Sequence, residues 1–305
     1  TSKGETRDNL NINTVDTVSN AVIDADKHSM FFISSARPVA ITATDVTIKN
    51  ATTNTSEGVR GATETPASVF NVFGGSVNLT NVTFSGNFGI AFLLGEGVAN
   101  FNNVTFDAGN VLTGQENSIL NQSLQTNAMT IKRSNINSNI TNEGYMLVSD
   151  DTVIGSTSAF INQQQVGADV TPRVTFTNVT FNGAMTNNYG EVSYSNSTIN
   201  SGINAFSNAS TLNFNNGNTI SNGTKISNTA DATLTFVQNS TNTLSGSSQL
   251  DNRGVLNING TLLISDSTIT SGSNTDTDAE TNFTGTLSTS STSNINILGG
   301  NFNFD

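Results

Sequence analysis

The sequence lacks several residue types, and each shortage excludes a class of protein. It contains no Cys and one His, so disulfides, thiolate nucleophiles and the usual Cys or His metal sites are excluded. The sequence has 11 Lys and Arg and 23 Asp and Glu, which gives a net charge of −12. A nucleic-acid partner is therefore excluded, because it requires clustered basic residues. The longest apolar run, residues 88–94, is far below the ~20 residues that cross a bilayer, so no membrane insertion is expected.

Polar uncharged residues dominate what is present. Asn, Thr and Ser number 47, 45 and 36 among the 305 residues, a bias that resembles disordered chains. However, the sequence also has 18 Phe and only three Pro, and its Val, Ile and Leu recur at regular intervals. The spacing of these apolar residues indicates a folded protein.

A short repeat defines the fold. Residues 77–86 and 174–183 read VNLTNVTFSG and VTFTNVTFNG, with apolar residues at positions 0, +2, +5 and +7. This spacing predicts two short strands joined by a turn. The frequent Gly and β-branched residues disfavour a helix.

The same template recurs along the chain, and its last five copies start at residues 174, 192, 212, 234 and 256. A period near 20 residues is typical of solenoids. It predicts an all-β, right-handed, single-stranded parallel β-helix of about 11 or 12 coils, with an apolar lumen and no second core. A leucine-rich repeat is the alternative solenoid, but its Leu pattern is absent. The copies are Leu10/Ile12/Val15/Thr17, Ile41/Ala43/Val46/Ile48, Val77/Leu79/Val82/Phe84, Ala99/Phe101/Val104/Phe106, Met129/Ile131/Ser134/Ile136, Met146/Val148/Asp151/Val153, Val174/Phe176/Val179/Phe181, Val192/Tyr194/Ser197/Ile199, Leu212/Phe214, Leu234/Phe236 and Leu256/Ile258/Thr261/Leu263.

Position +4 of the template is mostly Asn, which tolerates the left-handed conformation of a sharp turn. Stacked Asn side chains can also hydrogen-bond from coil to coil. In this feature the chain resembles the pectate-lyase-like right-handed β-helices, in which an Asn ladder occupies one turn. The alternative is that Asn is simply abundant. The residues of this column are Asp45, Asn81, Asn103, Arg133, Asp150, Asn178, Asn196 and Asn216.

The repeat predicts one domain, residues 1–305, with loop insertions near 49–76, 107–128 and 154–173. Insertions in solenoids fall in loops, often on the binding face. We therefore expect any localised function near these insertions rather than in the regular coils after residue 174.

Two columns of side chains provide candidate ligand-binding residues. Charged residues interrupt the +4 column, with Lys132 beside Arg133 in one coil and Asp150 in the next. Position −1 carries Tyr145, Arg173 and Glu191 in successive coils, where a Tyr ring could stack on a sugar and a guanidinium could bind a uronate carboxylate. Surface salt bridges on a solvated face are the alternative for both columns. The predicted site is Lys132, Arg133, Tyr145, Asp150, Arg173 and Glu191.

Catalysis is the main competing function. Asp150 and Asp151 resemble the acidic pair of polygalacturonases, but the Gly-His-Gly and Arg-Ile-Lys motifs of those enzymes are absent. The acidic segment at residues 276–280 lacks the Gly of a tight calcium loop. We expect no enzyme, no cofactor and no metal, and a secreted lyase or hydrolase acting on pectin-like substrates is the alternative.

By architecture and composition, the chain resembles the binding region of a lactobacillus serine-rich-repeat surface adhesin. The resemblance implies a secreted, monomeric region of a longer, wall-anchored cell-surface protein. It also implies binding to a polysaccharide or host glycoprotein, such as pectin-like polyuronate, rhamnogalacturonan or mucin. Because the protein and these ligands are both acidic and repel each other at neutral pH, binding is expected to strengthen at low pH.

Overall fold

A computed structural model describes residues 9–13, 21–26, 31–33, 39–51, 69–87, 89–107, 119–202, 205–273 and 278–304. All regular elements in these ranges are β-strands. They stack in parallel as a β-solenoid of the right-handed type with about 11 turns, which confirms the predicted fold class. By its contacts the chain divides into two compact units, Thr1–Leu147 and Val148–Asp305.

The first unit contains eleven described strands and the start of a twelfth, β12 (Tyr145–Ile154), which crosses the unit boundary. The other strands are β1 (Asn9–Asn13), β2 (Ala21–Asp24), β3 (Phe31–Ile33), β4 (Ala40–Lys49), β5 (Phe70–Ser85), β6 (Phe92–Asn102), β7 (Thr105–Phe106), β8 (Ile119–Asn121), β9 (Met129–Lys132), β10 (Asn135–Ile136) and β11 (Ile140–Asn142).

The second unit repeats short strands at nearly constant spacing. These strands are β13 (Ala159–Asn162), β14 (Arg173–Phe181), β15 (Ala184–Asn187), β16 (Glu191–Ser195), β17 (Thr198–Ile199), β18 (Ala205–Asn208), β19 (Thr211–Phe214), β20 (Thr219–Ile220), β21 (Lys225–Asn228), β22 (Thr233–Phe236), β23 (Thr241–Leu244), β24 (Gln249–Asn252), β25 (Val255–Ile258), β26 (Thr261–Ile264), β27 (Thr268–Ser271), β28 (Glu280–Phe283), β29 (Thr286–Thr289), β30 (Asn294–Ile297) and β31 (Asn301–Phe304).

The strands of the second unit form three parallel sheets. In the second unit, sheet I runs β14, β16, β19, β22, β25, β28, β31. Sheet II runs from the end of β14 through β17, β20, β23, β26 and β29. Sheet III runs β13, β15, β18, β21, β24, β27, β30. The template predicted sheets I and II and missed sheet III.

The predicted register of sheet I is correct wherever the pairing is described. In the first unit Ile41 pairs with Val77 and Val77 with Ala99. In the second unit Val174 pairs with Val192 and Val192 with Leu212. Successive side chains point to opposite faces of a strand, so these residues all face the lumen. There they are at most 3% exposed.

Aromatic rings stack along the lumen, as the template predicted for its +2 and +7 positions. In the first unit Phe84 stacks on Phe106 with 4.3 Å between ring centroids. In the second unit the Tyr194 ring lies 4.7 Å from Phe176 and 5.8 Å from Phe214. Stacked rings of this kind supply much of the buried apolar area.

The predicted turn column has the predicted backbone conformation at seven of its eight positions. Residues 45, 81, 103, 133, 150, 178 and 196 have φ between 48° and 56°. At the eighth, the left-handed residue is Gly217 (φ 78°) rather than Asn216. The first unit also contains the predicted amide ladder, in which Asn103 Nδ2 donates to Asn81 Oδ1 and Asn81 Nδ2 to Asp45 Oδ1, both at 2.7 Å.

In sheet II, four predicted residues in two coils are wrong. The template placed Asp151 and Val153 in the lumen, but Thr152 and Ile154 are buried there and Asp151 is exposed. The reason is a longer turn, since Asp150 and Asp151 are both left-handed. Likewise, Thr261 and Leu263 were expected to face the lumen of the second unit. Leu262 and Ile264 are buried instead, and Leu263 is 38% exposed.

The predicted insertions contain the missed strands. The range 49–76 includes the start of β5, 107–128 includes β8, and 154–173 includes β13. Residues 52–68 and 108–118 of the first two ranges lie outside the described residues. The third range leaves a described loop, residues 163–172, between β13 and β14.

The first unit also has a small second cluster outside the lumen, which the sequence did not predict. Leu93 and Ile90 are 1% and 7% exposed, and Phe73 and Leu120 pack against them. Leu93 and Leu120 are register partners on sheet III, with side chains on the face opposite the lumen.

Sheet III carries a buried Asn ladder at the last residue of its strands. In the second unit, Asn162, Asn187, Asn208 and Asn228 each donate to the Oδ1 of the next Asn, at 2.7–2.9 Å. Each amide also donates to a backbone carbonyl at the next turn, as Asn208 does to Thr233 O at 3.0 Å. The ladder satisfies polar groups that are out of contact with water, as a buried position requires.

Candidate functional site

A protruding loop marks the second unit. Residues 163–172 leave sheet III after Asn162, and Val166 near the loop tip is 99% exposed. Gln164 Nε2 donates to Ala168 O at 2.7 Å, and Ala168 N donates to Gln165 O at 3.1 Å. These two bonds hold the loop in a defined turn.

The base of the loop is fixed against the next coil. Buried Asn162 donates from Nδ2 to Tyr189 O at 2.8 Å. Glu191 N donates to Pro172 O at 3.0 Å. Gly190 has φ 88°, and a Cβ at this position would collide with the carbonyl oxygen of Pro172. A glycine is therefore required where the coil passes beneath the loop.

An ion pair lies beside this base. Arg173 and Glu191 are register partners at the starts of β14 and β16, as the −1 column predicted. Arg173 Nε lies 3.0 Å from Glu191 Oε2, and their side chains are 62% and 32% exposed. Glu191 Oε1 accepts from Asn213 Nδ2 at 3.0 Å and from Ser193 Oγ at 3.3 Å. Polar groups of three consecutive coils are thus joined in one row.

The sequence analysis missed Tyr189, which precedes Glu191 by two residues and is 39% exposed. Tyr189 lies in the turn between sheets III and I, outside the columns that the template sampled. The signal that could have found it is the Tyr-Gly-Glu sequence at 189–191, in which a Gly-dependent turn presents an aromatic residue. We call Arg173, Tyr189, Glu191 and Asn213 the loop-base patch.

The other predicted residues lie in two different units. In the first, Arg133 donates to Asn102 Oδ1 from Nε at 2.9 Å and from Nη2 at 2.7 Å, and Lys132 is the register partner of Asn102. Tyr145 is half-buried and donates from its backbone to Ser123 O at 3.0 Å. In the second unit, Asp150 is half-buried in its left-handed turn. The predicted site combines residues of both units and stays a prediction.

Near Tyr145 the first unit holds a further polar pair. Gln122 Nε2 donates to Glu143 Oε2 at 2.9 Å, and both residues are 8% exposed. Elsewhere in this unit, the pKa of the Asp24 carboxyl is held below its ordinary value. The causes are, in order, the hydrogen bond from Asn50 Nδ2 at 3.0 Å, the backbone amide of Asp26, and Lys49 Nζ at 3.2 Å.

Within the described ranges, no group of three or more His, Asp or Glu side chains could hold a metal ion. The same ranges contain no helix long and apolar enough to span a membrane. No protein-family model matches the chain, and neither the curated proteins nor the solved structures include a significant match.

Proposed function

We propose that this chain is the ligand-binding region of a bacterial surface adhesin, wall-anchored in the full-length protein, that recognises an anionic polysaccharide or a host glycoprotein. The observation that carries the proposal is the loop-base patch. There an arginine, a carboxylate and an amide are joined side chain to side chain, and the exposed Tyr189 lies two residues before the carboxylate, in the turn beneath the protruding loop.

The chemistry of the patch suits a sugar. A partly exposed Tyr offers an apolar ring face and a hydroxyl, which matches the amphipathic surface of a pyranose. Arg173 supplies a planar donor group that can recognise a carboxylate or paired hydroxyls. Asn213 and Glu191 add an amide and carboxylate oxygens along the same row. Pectin-like polyuronates and sialylated mucins present these partners.

The environment of Glu191 favours binding over cleavage. A glycosidase carboxylate must exchange a proton or attack the sugar directly. Glu191 instead interacts with Arg173, Ser193 and Asn213, which suits a residue that positions donor groups. The solenoid supports this role because each coil fixes the side chains of its neighbours at strand spacing.

Surface plasmon resonance on immobilised polygalacturonate and mucin tests the proposal. Tyr189→Ala and Arg173→Ala should each weaken binding by about 10-fold, since a lost stacking or charge-assisted contact costs about 1.4 kcal/mol. Ser227→Ala on the outer face of sheet III is the matched control and should bind normally. All three variants should keep the wild-type melting temperature because their side chains are exposed or half-buried.

Two results would contradict the proposal. Undiminished binding in both patch variants would show that the loop-base patch is not the binding site. Lys132→Ala, Arg133→Ala and Tyr145→Ala would then test the predicted residues of the first unit. Release of new reducing ends or unsaturated products from polygalacturonate would favour the lyase or hydrolase instead.

A further inference from the structure

From Thr180 onward, the outward side chains of the described sheet II strands in the second unit are uncharged. The outer face of sheet II consists of side chains in register from coil to coil, mostly Thr. Its central column is Thr180, Thr198, Thr219, Thr243, Leu263 and Ser288. Thr241, Thr261 and Thr286 form a second column beside it. We call these nine residues the threonine face.

The charged residues of the coils that follow Thr180 lie elsewhere. Lys225 and Asp251 project from sheet III, and Glu280 begins a strand of sheet I. Asp231 and Arg253 lie in turns between sheets III and I. Among the described residues near the face, Asp266 comes closest in sequence, two residues after the end of β26.

The threonine face also has one apolar side chain, in the fifth of its six strands. Leu263 is 38% exposed, although the residues on either side of it, Leu262 and Ile264, are buried. Thr243 and Ser288 are its register partners in the adjacent coils. The Leu side chain therefore projects outward from a surface of methyl and hydroxyl groups.

We propose that the threonine face is a homotypic contact surface, on which a second copy of this chain packs its own threonine face about a two-fold axis that runs parallel to the sheet. A two-fold interface needs a self-complementary patch, and this uncharged face brings no like charges together. Any surface rich in Asp or Glu would repel its own copy. Two β-sheets packed in this way lie about 10 Å apart.

The size of the face sets the strength of the contact. Six strands contribute to it, and strand spacing with two to four residues per strand gives an area on the order of 300 Å² per partner. Stable interfaces bury about 800 Å² per partner. The contact is therefore weak and reversible, and it becomes significant where many copies are held close together, as on a cell wall.

Sedimentation velocity of the intact chain tests this inference, at protein concentrations from about 0.02 to 1 mM. We expect the weight-average sedimentation coefficient to rise with concentration. The rise should be larger at 1 M than at 0.15 M salt, because the Debye length falls from ~8 to ~3 Å and the general repulsion is screened. Leu263→Asp should lower the association constant at least 10-fold.

Two further variants make the result specific. Thr243→Lys places a charge in the same face without removing the Leu, and it should weaken association as Leu263→Asp does. Thr270→Asp, on the outer face of sheet III, should associate like the wild type. A wild-type chain that stays monomeric throughout the range would overturn the inference. So would two face variants that behave like the wild type, or a control that is weakened equally.

Discussion

At the scale of single residues, Tyr194 shows what the lumen demands of a polar side chain. Its ring packs between Phe176 and Phe214, and it is 0% exposed. Its hydroxyl has no hydrogen-bond partner. Burial raises the pKa of this phenol well above its ordinary value, because the charged form cannot be solvated there.

Tyr194→Phe is expected to stabilise the protein by about 1 kcal/mol, since it removes an unsatisfied buried hydroxyl and keeps the ring. The variant should also be less sensitive to alkali. Above pH ~10 the unfolded state loses the phenol proton while the folded state retains it, so wild-type stability falls as the pH rises. Urea denaturation at pH 7 and near pH 10.5 measures both effects, with Tyr189→Phe as the exposed control. A destabilised variant would show that the hydroxyl has a partner in solution.

At the scale of strands and turns, the sequence predicted most of the coil. Val77, Val174 and their equivalents were assigned correctly because alternation of apolar residues is sufficient to define a strand that faces a lumen. Sheet III was missed because its inward positions end in Asn, as in Phe206-Ser207-Asn208, and a template built on apolar residues reads that Asn as a turn. An apolar-x-Asn motif in successive coils is the signal for this ladder.

Turn length was harder to predict than strand identity. Val153 and Leu263 are apolar at template positions, yet both lie outside the lumen because the preceding turn is one residue longer. The local sequence does not distinguish the two registers. The register is set by pairing with the adjacent coils, whose buried residues must lie next to buried residues of this strand. The loop-base patch was predicted in part for a similar reason. The register of Arg173 and Glu191 follows from the repeat, whereas Tyr189 depends on the conformation of a turn.

The buried ladder makes a strong prediction about stability. Asn208 is 0% exposed, accepts from Asn187, and donates to Asn228, Ser210 and Thr233. Asn208→Ala should cost about 2 to 4 kcal/mol, since it leaves several buried groups unpaired. Asn282 in sheet I is half-buried and donates to Asn257 Oδ1 at 3.0 Å, so Asn282→Ala is the control and should cost less than about 1 kcal/mol. Equal losses in urea denaturation would show that the buried ladder has no special role.

At the scale of the whole molecule, net charge governs the approach to the acidic ligand that we propose. The 23 carboxylates outnumber the 11 basic residues, so polyanions are repelled over a Debye length of about 8–10 Å near neutral pH. Arg173, beside the protruding loop, offers local attraction that this general field opposes.

Binding to polygalacturonate or mucin should therefore strengthen as the pH falls from 7 towards 4. Carboxyl groups in water have a pKa of about 3.9 in Asp and 4.3 in Glu, so roughly half of them are protonated near pH 4, while Lys and Arg stay charged. Surface plasmon resonance at pH 7, 5 and 4 measures the effect. A neutral polysaccharide is the control for precipitation near the pI of 4.3. Affinity that is constant with pH, or that rises equally for the control, would eliminate this electrostatic mechanism.

The equivalence of coils has a consequence for the inheritance of this chain. Thr211 pairs with Thr233 and Thr233 with Val255, so two successive segments of 22 residues occupy interchangeable places. Unequal recombination between such segments adds or removes one whole coil, and each side of the new junction still meets a matching strand. A gene for this kind of protein can change the length of its product in steps of one coil, with no new core to evolve.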